Sequence, residues 1–299
     1  MSVTTPTPPE PLRRDTVEAR LIRQKVWRAC NIENQHFMAA IVGREGSGKS
    51  LTGLKIAESA DPTFNASRVM FEPKAFLERL REWKAAGETK GKLVVADEAG
   101  VGLGVRTWYQ KDQILFNQVL QVIRDENMGI IFTLPRLSEL DSQARGRLHA
   151  FLEMKDKEDG EWADVKWLNW DPTRDERDKV YRHYPEMKIN GYTRKVKALR
   201  LTPPSEDLVK NYEKRKEAFQ DQLYQDAIDE MDENEEQTMS PSEVADDIAE
   251  SGVKDYVSIH GGNKTKYIDA ELIEMDYDLS ARNAKKVKKL LDRDDDISL

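Results

Sequence analysis

Four short apolar runs punctuate the first half of the chain: "HFMAAIV" (36–42), "SRVMF" (67–71), "KLVVA" (92–96) and "GIIFTL" (129–134). Each is too short for a stable helix and reads as a buried strand. Segments of helical spacing lie between them. Residues 50–59 follow the first run, Phe76, Leu77, Leu80 and Trp83 mark a helix after the second, and "QILFNQVLQVI" (113–123) precedes the fourth. Gly87 and Gly91 bracket the turn into the third strand, and Pro135 ends the last. Upstream, residues 12–34 predict a helix with a mixed charged face. Strands alternating with helices of this length predict an α/β fold, a parallel sheet with right-handed crossovers and flanking helices.

The second half changes period. "AFLEMKDKEDGEWADVKWLNW" (150–170) alternates with period two around an acidic turn containing Gly160, which predicts a β-hairpin at the edge of the sheet. "KALRLTPPSEDL" leads from a strand into a long helix over 205–231. From Asp229 to Glu236 six of eight positions are acidic, the mark of a solvated linker. The expected organisation is a flexible tail (1–11), a main domain (12–228), an acidic linker (229–239) and a small helical domain (240–299). In that last part, helices are expected over 270–275 and 281–291, joined by a turn at Asp278, Leu279 and Ser280. Leu272, Ile273, Leu279, Ala284, Val287, Leu290 and Leu291 would form its buried stripe, leaving Arg282, Lys285, Lys286, Lys288 and Lys289 on a basic outer face. This pattern resembles a helix-turn-helix or winged-helix module, whose second helix enters the DNA major groove. The alternative is a small helical module that binds a protein.

Composition narrows the classes. A chain of 299 residues suggests about two domains. The net charge of −8 excludes a protein that coats nucleic acid by global positive charge, while leaving room for a local basic face. One cysteine, Cys30, allows no internal disulfide and no four-cysteine zinc site, and the histidines at 36, 149, 183 and 260 lack metal-ligand spacing. A reducing, cytoplasmic compartment follows. No apolar run is long enough to span a bilayer, and "MSVTTPTPPEP" lacks the apolar core of a signal peptide.

The candidate chemistry begins where three of the sixteen glycines crowd into "GREGSGKS". Gly43, Arg44, Glu45, Gly46, Ser47, Gly48, Lys49 and Ser50, with Leu51 behind them, lie between an expected strand and an expected helix. That is the context of a phosphate-binding loop. Its glycines allow a tight turn whose N–H groups face phosphate oxygens, and the helix N-terminus adds positive potential. Lys49 would reach the β- and γ-phosphates of ATP, and Ser50 would ligate Mg²⁺. "KLVVADEAG" ends a strand in Asp97 and Glu98 at the edge where open parallel sheets bind ligands. Asp97 would hold the magnesium through water and Glu98 would polarise the attacking water, although carboxylates also cap helices there. The adjacent pair favours hydrolysis over a small-molecule kinase. Thr133, at the tip of the fourth strand, is either a γ-phosphate sensor or a threonine with good strand propensity. Arg124, Arg136, Arg145 and Arg147 flank that strand, and Arg124 leads them as a finger supplied to a neighbouring subunit. "GVGLG" (100–104) is read as a mobile loop.

Together, "VVADEAG", Arg124 before the sensor strand and "LPRLSELDSQARGRL", with Asp141 and Arg145, resemble the FtsK–HerA superfamily of P-loop motors. The likeness runs over about 36–220 and is to the zonular-occludens-toxin-like and viral packaging branches in particular. It implies a ring-forming ATPase that translocates or packages DNA for a virus or plasmid, with assembly proteins of that system as further partners. Two features depart from the pattern. The sensor strand ends in Thr133 and Leu134 where glutamine is usual, and the membrane helix common in the toxin-like branch is missing. The second departure favours a soluble motor, in the host cytoplasm if viral. Two rivals stay open: a DNA-binding regulator or segregation factor switched by ATP, and an ATPase for particle assembly or export.

Overall fold

The computed structural model describes residues 6–71, 73–97, 120–140, 142–173, 179–189, 191–237, 239–260, 265–277, 279 and 281–293. Strand β1 (Phe37–Val42) is buried at all six positions, as are β3 (Leu93–Ala96) and β4 (Gly129–Leu134). Strands this apolar on both faces must be covered on both faces, which is the environment of a parallel sheet. β1 pairs in parallel with β4 on one side and with β5 (Ala150–Glu158) on the other. β4 continues in parallel to β3, and β3 to the short β2 (Val69–Met70).

The hairpin expected around Gly160 is present, as β5 and β6 (Trp162–Pro172), with Gly160 at φ +78° in the turn. It does not form the edge of the sheet. β5 docks on β1, and β6 is itself lined by β7 (Val180–His183) and β10 (Leu199–Leu201). A separate small ribbon joins β8 (Glu186–Ile189) to β9 (Tyr192–Lys195).

The pleat sorts side chains between two cores. Phe37, Ala39 and Ile41 pack with Leu93, Val95, Ile131 and Leu152 beneath the helix Lys49–Ala60 and the N-terminal helical run. Met38, Ala40 and Val42 face the opposite layer with Val94, Ile130, Phe132, Leu80 and Ile123. The N-terminal run divides where one helix was expected. A turn at Glu10–Arg13 is followed by Val17–Ile22, a π-helical stretch at Arg23–Trp27 and Arg28–Asn31, with Thr16 capping the second part through the N–H of Ala19 (3.1 Å).

The chain forms two compact units, Met1–Gln220 and Asp221–Leu299. The run 229–236, expected as a solvated linker, is helical: it belongs to the helix Glu206–Gln237. In the second unit, the helix Pro241–Ser251 opens with a capping box between Ser240 and Glu243. A hairpin of β11 (Val257–His260) and β12 (Thr265–Ile268) follows, then the helices Ala270–Asp276 and Ala281–Leu291. Ile273, Leu279, Ala284, Val287 and Leu291 are buried together as expected. Leu272 and Leu290 are not: they are 38% and 41% exposed. The helix Pro241–Ser251 supplies Val244 and Ile248 to the core in their place.

Candidate functional site

β1 ends at Val42 and the chain turns at once, at the carboxyl edge of the parallel strands. Gly46 and Gly48 adopt φ of +70° and +86°, left-handed values that glycine takes without cost. Gly48 opens the helix Lys49–Ala60. That helix lies close on the sheet: a methyl at Gly53 would sit 3.4 Å from Val95 and 3.5 Å from Thr133. Lys49 Nζ folds back over the loop and donates to the carbonyls of Gly43 and Arg44, both at 3.0 Å.

One helical step on, Ser50 Oγ donates to Asp97 Oδ1 at 2.7 Å. Thr133 Oγ1 donates to the same oxygen, and the phenol of Tyr212 donates to Oδ2 at 2.6 Å. Asp97 is 4% exposed, so these three hydroxyls supply the hydrogen bonding that a buried carboxylate requires. Burial, followed by the Asp97 charge, raises the Tyr212 phenol well above its ordinary range, which keeps it a neutral donor. Around this centre is a cavity of about 470 Å³ lined by residues 45–51, Thr133, Pro135, Lys157, Tyr212, Glu213 and Lys216.

The donor set fits magnesium. A hydroxyl and a carboxylate are hard oxygen ligands, and a nucleotide's phosphates complete such a site without a protein cage. Among the described residues, no group of three or more histidine, cysteine or acidic side chains could hold a metal by itself.

The structure therefore brings Lys49, Ser50, Asp97 and Thr133 together with the loop residues 43–51. Glu98 lies outside the described residues, as do residues 100–104 and Asp141. Arg124 is elsewhere in its own chain. It sits at the amino end of the sheet beside His36, whose pKa is lowered by burial and further by Arg124 and Arg147. Arg136 is exposed, and Arg145 is half-buried with Nε sealed from solvent. Sequence reasoning missed Tyr212, Glu213, Lys216 and Lys157. Tyr212 stands four residues after Leu208, and both are buried in the first core. That spacing signals packing only, and nothing local points the hydroxyl at Asp97. In the second unit, Arg282, Lys285, Lys286 and Lys289 are exposed, while Lys288 is half-buried with Nζ 5.0 Å from the centroid of the Tyr267 ring.

The parallel sheet, the glycine loop at its carboxyl edge and the Ser50–Asp97 pair define the first unit as a P-loop NTPase fold. Residues 50–160 match the family described as Zonular occludens toxin (Zot), in agreement with the resemblance read from the motifs. Over 130 residues the chain is 27% identical to "Uncharacterized protein B-251" of Sulfolobus spindle-shape virus 1, a match covering 38% of this chain and 51% of that protein. It thus spans about half the length of this curated relative. Two solved structures are similar in part, each at 16% identity. The N-terminal domain of zonular occludens toxin from Neisseria meningitidis aligns with a TM-score of 0.31, over 52% of this chain and 96% of that one. The genome packaging NTPase B204 from Sulfolobus turreted icosahedral virus 2, in complex with ATPγS, aligns with a TM-score of 0.27, over 50% and 97%. No helix among the described residues is long and apolar enough to cross a membrane.

Proposed function

We propose that the protein is an ATP-hydrolysing motor that acts on DNA, translocating or packaging it for a virus or plasmid, and that it works as a homo-oligomeric ring. The observation that carries the ATPase reading is the convergence of Lys49, Ser50, Asp97 and Thr133 on one glycine loop. In this reading the loop N–H groups and Lys49 hold the β- and γ-phosphates. Ser50 would ligate magnesium and Asp97 would hold it through water, and the ion would supply positive charge beside the phosphates. Glu98 orients and polarises the attacking water, and Thr133 registers the γ-phosphate. Arg124 serves a neighbouring copy; its place at the sheet end away from its own loop supports that role over one in cis.

The Zot family match over 50–160 and the viral source of a relative support the motor and packaging context. The exposed basic residues of Ala281–Leu291 support a DNA-binding tail. A second reading, an ATPase for particle assembly whose tail docks a protein, is favoured by Leu272, Met275 and Leu290, which are exposed in that same unit.

The test is ATP turnover with and without duplex DNA, read beside the oligomer mass. The motor requires DNA-stimulated turnover in a ring. DNA-insensitive turnover supports the assembly ATPase, and nucleotide-gated DNA binding with negligible turnover supports a switch. Lys49→Ala should lower turnover about 100-fold or more, the usual scale for losing one transition-state charge partner. Glu98→Gln should bind ATP and fail to hydrolyse it. Turnover at the wild-type level in Lys49→Ala would sink the assignment.

A further inference from the structure

The two oxygens of Asp97 are unequally used. Oδ1 accepts from Ser50 Oγ and from Thr133 Oγ1, which fills both of its lone pairs. Oδ2 takes the Tyr212 phenol at 2.6 Å. Asp97 and Tyr212 are each 4% exposed, so bulk water does not replace these partners. What Asp97 has left to offer a cation is therefore Oδ2, the oxygen that Tyr212 holds.

Ser50 and Thr133 belong to the P-loop helix and the sheet. Tyr212 comes from the helix Glu206–Gln237, whose Glu213 and Lys216 line the same cavity. That helix is tied down on both sides of Tyr212. Ser205 binds Glu58 just before the helix starts, and the Phe219 ring stacks on Phe71 at 5.0 Å. Loss of the phenol's bond would loosen the turn around Tyr212 while the flanking contacts keep the helix in place.

We infer that Tyr212 is a metal-responsive positioning residue: its phenol and a magnesium–nucleotide complex draw on the same oxygen of Asp97, so loading the site weakens Tyr212's hold and loosens its helical turn. A hydrogen bond to an ionised carboxylate is among the stronger ones, but each positive partner on one oxygen lowers what that oxygen gives the next. The coupling is therefore negative, and it acts equally in both directions. The inference rests on the nucleotide-binding reading above.

Tyr212→Phe keeps the ring and removes the donor. Binding of ATPγS to the full-length chain is measured by calorimetry across a magnesium series and in EDTA. In the variant, the magnesium concentration for half-maximal binding should fall roughly fivefold or more, within the ordinary range of coupling between sites. Affinity in EDTA should stay the same. A purely structural tyrosine would lower thermal stability and move both affinities together. An unchanged or increased magnesium requirement overturns the inference.

Hydrogen exchange on the wild-type chain decides the matter if the variant fails to fold. Amides at 208–216 should exchange faster with magnesium and ATPγS than with ATPγS in EDTA; equal or slower exchange overturns the inference. Wild-type protein that binds no ATPγS under either condition would remove the nucleotide reading itself, an outcome distinct from binding that is indifferent to Tyr212.

Discussion

At Gly43 a methyl group would lie 2.6 Å from Ser47 Oγ and 2.9 Å from the Cβ and Cγ of Met154. This glycine is needed for space, since its backbone is not left-handed. Gly46 and Gly48 are needed for φ, where an L-residue costs about 1–2 kcal/mol. One loop thus uses glycine for two physical reasons, and the spacing of the three was legible because both reasons act within eight residues. Met154, which crowds Gly43, comes from β5, over a hundred residues away, and no local pattern announces it. Gly43→Ala should push the loop off its phosphate-binding shape and weaken ATPγS binding about tenfold or more, ~1.4 kcal/mol, with the thermal midpoint little changed. Calorimetry beside a melting curve checks this, and unaltered affinity would mean that Ser47 and Met154 absorb the methyl.

Between elements, His149 ties the start of β5 to β1. Its ring Nδ1 accepts from the backbone N–H of Met38 at 3.1 Å, and the His149 backbone N–H donates to the Met38 carbonyl at 2.8 Å. Burial, with the neighbouring His36 adding to it, lowers the His149 pKa to about 4. The folded state therefore favours the neutral ring, and His149 contributes stability that is complete above the unfolded value of about 6.5. That contribution is lost as pH falls through about 4, because the unfolded chain takes up the proton first. Stability should rise with pH from about 4 to 6.5, and His149→Gln should reduce the slope by close to one proton. Denaturant midpoints across that range measure it, and an unchanged slope would show that His149 is charged in the folded protein. The parallel core was legible at this scale because each of its strands has an apolar run of its own. β7 was not. It is four residues long with no buried position, and it forms a strand because β6 offers it a partner, whereas β10 coincides with the strand read in "KALRL".

For the whole molecule, the net charge of −8 and the basic face of Ala281–Leu291 coexist because charge is distributed by position. Arg282, Lys285, Lys286 and Lys289 follow helical spacing and are exposed. Replacing these four with glutamine should weaken duplex binding and flatten its salt dependence by about one unit per lost phosphate contact. An unchanged slope in an equally stable variant would move this face to protein docking.

The sequence alone determined what depends on neighbours in the chain. Periodicity set the alternation of strands and helices, and the order of glycine, lysine and serine set the loop chemistry. The end of an apolar run placed Asp97 at the strand edge. Charge alone left the conformation of 229–236 undecided; the acidic run lies in the helix Glu206–Gln237. Packing overruled the stripe at Leu272 and Leu290, because the helix Pro241–Ser251 filled that core from elsewhere. Only the tertiary structure decided that Tyr212 meets Asp97 and that Arg124 stands away from its own loop. The Tyr212–Asp97 contact joins residues 115 positions apart; it is selected by the fit of whole layers and by the need to satisfy a buried carboxylate, and neither leaves a mark on local pattern.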